Sequence, residues 1–355
     1  MNRVEKLQKL LNENGLDAML LVNPKNRRWC TGLNSSDGTV LVTRHELFCF
    51  ADSRYIEIAR ETVKNATVGL TSLDMPLKAW LTQAISDCGV RRLGFEEDYL
   101  SYAAHRRFAD MLDAELLPAG KIMTELRAAK DEEEKQAIVR AQAITDAVFM
   151  EILDFIRPGV SENDIAAEIS YRQLKKGAEG NSFDPIVVAG KKSSMPHGEP
   201  GNNKIAPGDF ITMDFGCLVD GYCSDMTRTV AVDSATDEMR HIYDIVLQAQ
   251  AAGIAAARAG ITGREIDKAG RSIIEQAGYG EYFGHSFGHS LGLDIHESPS
   301  ASPTETRVMP AGAVISAEPG IYIPGKFGVR IEDILYLDEN GCTDLTKSPK
   351  NLIIL

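Results

Sequence analysis

Asp209–Arg228 reads Asp-Phe-Ile-Thr-Met-Asp-Phe-Gly-Cys-Leu-Val-Asp-Gly-Tyr-Cys-Ser-Asp-Met-Thr-Arg. Two runs of β-branched, aromatic and apolar residues flank Val-Asp-Gly, the pattern of a β-hairpin. A turn centred near Val219–Asp220 sets Asp214 on one arm roughly opposite Asp225 on the other. Opposed residues of an antiparallel pair share a face, with Cβ atoms about 4.5–5.5 Å apart. Two carboxylates that close repel each other, so either one is protonated or a cation lies between them. Two exposed acids flanking a turn are the plainer alternative.

Working outward, the same pattern recurs. Pro207-Gly208-Asp209-Phe210-Ile211-Thr212-Met213-Asp214-Phe215-Gly216 aligns with Ala311-Gly312-Ala313-Val314-Ile315-Ser316-Ala317-Glu318-Pro319-Gly320. Gly221-Tyr222-Cys223-Ser224-Asp225 aligns with Gly328-Val329-Arg330-Ile331-Glu332. Upstream, Arg157-Pro158-Gly159-Val160-Ser161 with Asp164-Ile165 matches Arg258-Ala259-Gly260-Ile261-Thr262 with Glu265-Ile266. In each copy a helix ends at glycine and Ser or Thr caps the next helix. Asp214 therefore maps onto Glu318, and Asp225 onto Glu332. Two similar halves packed face to face bring four carboxylates to one pseudo-symmetric centre, which disfavours the plain reading. Strand alternation puts Glu318 on a face with Val314 and Ser316, and Glu332 on a face with Arg330 while Asp333 points away. Glu332 is chosen over Asp333 on that ground.

Between the carboxylate pairs lies His285-Ser286-Phe287-Gly288-His289-Ser290-Leu291-Gly292-Leu293-Asp294-Ile295-His296, which holds three of the seven histidines. Its glycines let backbone approach a site closely. Four carboxylates and an imidazole nearly balance two divalent cations. That donor set suits Mn²⁺, Co²⁺ or Zn²⁺ better than a thiolate-preferring ion. A pair of such ions lowers the pKa of water and polarises a carbonyl, the chemistry of acyl or phosphoryl hydrolysis. Cys217 points to the face opposite Asp214, and Cys223 is read as packing.

The rest of the chain fits a soluble enzyme. Its 355 residues are long for one core, so two domains are expected. A formal net charge of −13, with no Lys/Arg run longer than two, argues against nucleic acid. No stretch reaches the ~20 apolar residues of a membrane span. The amino terminus lacks a signal-peptide core, so a cytoplasmic location is expected. The six cysteines show no Cys-x-x-Cys and read as reduced and mostly buried.

Residues 1–122 alternate helices (Val4–Asn14, Ser53–Lys64, Pro76–Cys88, Ser101–Leu112) with strands (Ala18–Val22, Arg92–Phe95, Glu115–Leu117) and a hairpin, Thr39–Thr43 with Leu47–Ala51. This is an α/β layer. Asp52 is expected to cap the next helix and Arg54 to pair with a carboxylate. A charged run, Lys130-Asp131-Glu132-Glu133-Glu134-Lys135, fronts a long helix reaching Ile156, and its acids suit the helix dipole. The boundary is placed near 122–128, giving domains 1–122 and 123–355.

These motifs resemble the proline-specific metallopeptidases of the pita-bread fold: aminopeptidase P and prolidase (Xaa-Pro dipeptidase), with methionine aminopeptidase and creatinase as relatives. The resemblance runs along essentially the whole chain. It rests on the Asp-Ser-Arg-Tyr segment, Met-Asp-Phe-Gly, Asp-Met-Thr-Arg, Gly-His-Ser-Leu-Gly, Ala-Glu-Pro-Gly and Arg-Ile-Glu-Asp. It implies an α+β protein with a creatinase-like amino-terminal α/β domain and a pseudo-two-fold catalytic domain. It implies metal ligands Asp214, Asp225, His289, Glu318 and Glu332, with Asp225 and Glu332 bridging two ions, manganese foremost. A hydroxide between the metals attacks the scissile carbonyl, and Glu318 relays the proton. His296 hydrogen-bonds the carbonyl or the tetrahedral oxyanion, His197 is a catalytic histidine near the substrate, His285 lines a proline pocket, and Arg330 and Tyr322 belong with His285 to substrate binding. The substrate is a peptide with proline second, and the assembly a homodimer. Creatinases lack the ligand set that is intact here, and methionine aminopeptidases usually lack the amino-terminal domain. The compact length favours aminopeptidase P over a prolidase restricted to dipeptides. An inactive pita-bread domain used for binding, and a dinuclear phosphoesterase, are the readings from other classes. The latter wants more histidines and a basic phosphate clamp.

Overall fold

Apolar runs alternating with capped helices build the amino-terminal unit, Met1–Arg127. It is one of two units into which the computed structural model, which describes residues 1–355, divides; the other is Ala128–Leu355. Six strands form one mixed sheet: β1 (Ala18–Leu21), β2 (Thr39–Thr43), β3 (Leu47–Ala51), β4 (Thr67–Leu70), β5 (Arg92–Phe95) and β6 (Glu115–Pro118), in the order β4-β3-β2-β1-β5-β6. The central strands β1, β2 and β3 are buried at every position, which is why they read as unbroken apolar runs rather than alternating ones. The helices are α1 (Arg3–Glu13), α2 (Pro24–Thr31), α3 (Ile56–Thr62), α4 (Leu77–Asp87), α5 (Tyr102–Met111) and α6 (Gly120–Ala128). Sequence reasoning missed α2, although Asn23 caps it and Pro24 opens it. It also missed β4, a short edge strand with little buried surface.

Two expectations need correcting in this region. Asp52 does not cap α3, which starts after Tyr55 without a side-chain cap. Asp52 instead closes the preceding turn, accepting from the Arg54 N–H at 2.9 Å. Arg54 does pair with carboxylates, Asp52 at 2.7 Å and Asp37 at 2.9 Å. The long helix fronted by the charged run is present as one element but ends at Ile152, short of the expected Ile156. Asp131 starts it, α7 (Glu132–Ile152), through a capping box with Glu134.

The second unit is built twice over. The first half holds α7, α8 (Glu162–Lys175) and the antiparallel strands β8 (Ile186–Ala189), β9 (Phe210–Phe215) and β12 (Met226–Ala231). The second holds α9 (Asp237–Ala256), α10 (Gly263–Gln276), β13 (Gly288–Ser290), β15 (Val314–Ala317) and β18 (Asp333–Leu337). The repeat seen in the sequence has matching geometry. Gly159 and Gly260 take φ of +90° and +86°, Gly208 and Gly312 of +81° and +87°. Ser161 with Asp164 and Thr262 with Glu265 form capping boxes at α8 and α10. Shorter strands complete the unit: β7 (Gly180–Asn181), β10 (Cys217–Val219) and β11 (Tyr222–Cys223) form one sheet, β14 (Glu297–Ala301) and β19 (Cys342–Asp344) flank the second half, and β16 (Gly320–Ile323) pairs with β17 (Phe327–Arg330). No helix is long and apolar enough to cross a membrane.

The register of the deciding hairpin is offset from expectation. The turn is Asp220-Gly221, with φ of +50° and +77°, the type I′ geometry that suits strand twist. Leu218 pairs with Cys223 and Asp214 with Thr227, so Asp214 and Asp225 sit diagonally on one face rather than opposite. In the continued register Asp225 stands across from Gly216. A Cβ on Gly216 would lie 1.9 Å from the Ser224 carbonyl oxygen, so glycine there lets the two arms pinch together.

Behind this face lies a buried ionic cluster. Arg228 is 1 % exposed and pairs with Asp333 at 2.7 Å. It also donates to the carbonyls of Glu332 at 2.5 Å, Ser348 at 2.9 Å and Pro349 at 2.9 Å. Gln250 of α9 donates to the Ala317 and Ile331 carbonyls and to Asp333. Residues 353–355 return to the first half, where Ala231 N–H donates to Ile353 and Leu355 N–H to Ala231.

Candidate functional site

The ends of the repeated strands converge on one cavity of about 400 Å³. Its wall carries Asp214, Asp225, His289, Glu318, Glu332, Arg330, His285, His296 and His197, with Phe183, Ile186 and Ile295 as apolar lining. One of the expected site residues is not on the wall. Tyr322 stands behind it, with its hydroxyl 2.9 Å from His285 Nε2 and 2.8 Å from Arg330 Nη1. Its part is therefore to hold those two side chains rather than to touch a ligand.

The carboxylates arrive from different elements. Asp214 is on β9, Asp225 precedes β12, Glu318 follows β15, and Glu332 falls in the break between β17 and β18. That break separates Glu332 from Asp333, which is wholly buried against Arg228, Lys350 and Gln250 and takes no part in the cavity. Ligand-type atoms of Asp225, His289 and Glu332 lie within 4.8 Å of one another. His289 Nε2 is 3.3 Å from Glu318 Oε1 and 3.5 Å from Asp225 Oδ2.

The hydrogen bonds fix protonation and aim. His289 Nδ1 is 3.1 Å from the Ser290 carbonyl, which can only accept, so Nδ1 carries the proton and Nε2 offers its lone pair to the cluster. Arg330 is 3 % exposed and binds Asp214 Oδ2 at 2.6 Å and Thr227 Oγ1 at 3.0 Å. Thr227 then donates to Glu332 Oε2 at 2.7 Å. Ser316 donates to Glu318 Oε1 at 3.1 Å. Thr227 was not singled out from the sequence, yet it lies two residues after Asp225, where alternation places it on the same face. Tyr322 has one hydroxyl proton. Its oxygen accepts from Arg330, so the proton goes to His285 Nε2, and His285 Nδ1–H goes to the Ser286 carbonyl at 2.9 Å. Burial, then Arg330, pushes the His285 pKa down to about 3, so its ring is neutral. Burial also raises Tyr322 to about 12, which keeps the phenol protonated.

The cluster's electrostatics call for a cation. Burial first, then Asp214 and Glu318, lift the Asp225 carboxyl well above the usual range. Burial, then Asp225, Glu318 and Asp214, do the same to Glu332. Glu318 is raised to about 7, chiefly by burial. Asp214 Oδ1, Asp225 Oδ1 and Glu332 Oε1 are buried without any hydrogen-bond partner. Buried polar atoms are normally satisfied. Three orphaned carboxylate oxygens beside an imidazole lone pair make an oxygen-rich, one-nitrogen donor set fitted to divalent ions of borderline hardness.

His296 and His197 are both exposed at the cavity. The ring of His296 packs edge-on against His289, centroids 4.3 Å apart.

Comparison with known proteins gives the same picture over the whole chain. Residues 136–339 match metallopeptidase family M24, and residues 3–129 match the creatinase/prolidase N-terminal domain. The structure of an Xaa-Pro dipeptidase from Bacillus anthracis superimposes with a TM-score of 0.96 at 40 % identity, covering 99 % of each chain. A crystal structure of the X-Pro aminopeptidase from Thermotoga maritima gives 0.93 at 33 % identity, covering 99 % of this chain and 100 % of that one. The Xaa-Pro dipeptidase of Pyrococcus furiosus is 35 % identical over 353 residues, 99 % of each chain. Compact length, taken above to favour aminopeptidase P, therefore discriminates nothing: dipeptidase and aminopeptidase both match end to end.

Proposed function

The chain belongs to metallopeptidase family M24, and from that premise we propose that it hydrolyses Xaa-Pro dipeptides. It is a metal-dependent hydrolase of the Xaa-Pro peptidase family. The observation that carries the reading is the set of orphaned oxygens on Asp214, Asp225 and Glu332 around the His289 lone pair. Two divalent ions, manganese the first to test, would be held by Asp214, Asp225, His289, Glu318 and Glu332. When bound, such ions supply Lewis acidity that lowers the pKa of water and polarises a carbonyl.

The chain's own groups do the rest. Glu318, on the cavity wall beside the cluster, takes the proton that the attacking water gives up and returns it to the departing proline nitrogen. That nitrogen must gain a proton as the C–N bond breaks, so that proline leaves as a neutral secondary amine. His296 and His197 present donors on the open side, where negative charge grows on the carbonyl oxygen. His285 has both ring nitrogens engaged, so it offers the proline ring an uncharged wall. Arg330 holds Asp214 in place.

The dipeptidase preference is supported by the Bacillus anthracis and Pyrococcus furiosus relatives. The aminopeptidase reading is kept because the Thermotoga maritima enzyme aligns over its full length. The test is to strip the protein with chelator, restore Mn²⁺, and follow Ala-Pro, Ala-Pro-Ala and Ala-Ala-Ala. Cleavage of Ala-Pro with little loss of the tripeptides is expected. Preferential cleavage of Ala-Pro-Ala would transfer the assignment to aminopeptidase, and no metal-dependent cleavage of any proline peptide would remove it.

A further inference from the structure

Glu162 is the first residue of α8 and is wholly buried, yet it lies outside the cavity. Its Oε1 accepts from the Ala189 N–H at 2.9 Å and from Asn203 Nδ2 at 3.2 Å. Its Oε2 accepts from Lys192 Nζ at 2.7 Å and from the Gly201 N–H at 3.0 Å. The donors come in two pairs, one pair from each end of a single loop. Ala189 and Lys192 precede His197, and Gly201 and Asn203 follow it. The backbone of the same helix turn adds to the grip: the N–H groups of Glu162 and Asn163 donate to the carbonyls of Asn203 and Gly201 at 3.1 and 3.0 Å. Inside the loop, Gly198 N–H donates to Met195 at 3.0 Å, and Arg330 reaches the Pro196 carbonyl at 3.4 Å. The His197 ring makes no hydrogen bond of its own, so its place at the cavity is set by the loop that carries it.

The repeat makes Glu162 stand out. Its counterpart in the second half is Gly263, where a Cβ would lie 1.9 Å from the Ser300 carbonyl oxygen. The fold therefore does not require a carboxylate at this point of the motif. One half has it, and that half is the one whose loop delivers a histidine to the cavity. A charged acceptor with four donors, at the positive end of a helix, is also the strongest clasp the local chemistry offers.

The geometry points to Glu162 as a positioning residue that clasps both ends of the 190–203 loop and so aims His197 at the substrate. It rests on the reading of His197 as a substrate-facing group of an Xaa-Pro peptidase. Glu162→Gln removes the charge and leaves Lys192 without its partner. Misplacing a catalytic group by about 1 Å can cost on the order of 10²-fold.

The test is a double-mutant cycle on the metal-loaded protein, read as kcat/KM for Ala-Pro, together with hydrogen exchange of the loop. Glu162→Gln should lower kcat/KM by about 10- to 10²-fold. In a His197→Ala background it should lower it hardly further, since coupled residues fail to add. Exchange of the Ala189 and Gly201 amides should quicken while β9 and β15 stay protected. If Glu162→Gln does not fold, Lys192→Met, which keeps the backbone donors, should give the same pattern in smaller measure. Multiplicative losses in the two backgrounds, or unchanged loop exchange, would overturn the proposal. Should the wild-type protein cleave no proline peptide, the functional reading falls, and the exchange result still decides the clasp.

Discussion

Burial, and then repulsion among the cluster's carboxylates, lift the carboxyl pKa values of Asp225, Glu318 and Glu332, so each keeps its proton to higher pH than an exposed carboxyl does. Their folded pKa values lie above the unfolded ones, so the ion-free protein is favoured at low pH. It loses that stability as pH rises through the folded values, about 7 for Glu318. Divalent ions must displace those protons. Calorimetry of Mn²⁺ binding in buffers of different ionisation enthalpy should therefore show proton release near neutral pH, and a buffer-independent heat would contradict the cluster. His285 runs the other way. Its pKa falls from about 6.5 unfolded to about 3 folded, so its contribution is present at neutral pH and lost as pH drops through that window. Tyr322→Phe removes the proton that fixes its tautomer. Activity toward Ala-Pro should fall mainly through KM, by roughly tenfold for a lost buried hydrogen bond of about 1–2 kcal/mol.

At the level of elements, two joints carry the cluster. Gly216→Ala should push the arms of the Asp220-Gly221 hairpin apart, because the Ser224 carbonyl occupies the space a Cβ needs. Metal affinity should then drop more than thermal stability does, as titration calorimetry beside a melting curve will show. Lys130 and Glu297 form a buried pair at 3.0 Å, with side chains 1 % and 7 % exposed. Glu297 in turn accepts from the Asp294 N–H and anchors the segment leading to His296. Lys130→Met strands a buried carboxylate and should cost about 3–5 kcal/mol in chemical denaturation. Much of this was legible in the sequence. The repeat marked Asp214, Glu318, Asp225 and Glu332, and alternation separated Glu332 from Asp333 although the strand breaks between them. The exact turn was misplaced by one residue, because the positive φ of Asp220 has to be inferred from the Asp-Gly pair rather than from the apolar pattern. Thr227 and Glu162 escaped notice because a lone hydroxyl or acid acquires meaning only from the partners folding gives it.

For the whole molecule, each half of the second unit supplies side chains to the cluster, so ions held as proposed would also be a staple between halves. At a hundred-fold excess over Kd they should stabilise by about 2.7 kcal/mol, roughly 5–10 °C in melting temperature for a unit of this size. Chelation should remove that increment, and a melting curve indifferent to chelator would place the ions elsewhere. The return of residues 348–355 to the first half has a consequence in time. Arg228 needs the carbonyls of Ser348 and Pro349, and Ala231 needs Ile353 and Leu355. A ribosome releases those residues some 120 positions after the strand they complete. The nascent first half must wait, unfinished at the very strand beside Asp225, and until then the Arg228 guanidinium lacks two of its acceptors. Residues 348–355 thus close β12, the strand next to Asp225, only after the whole second half between them has been made.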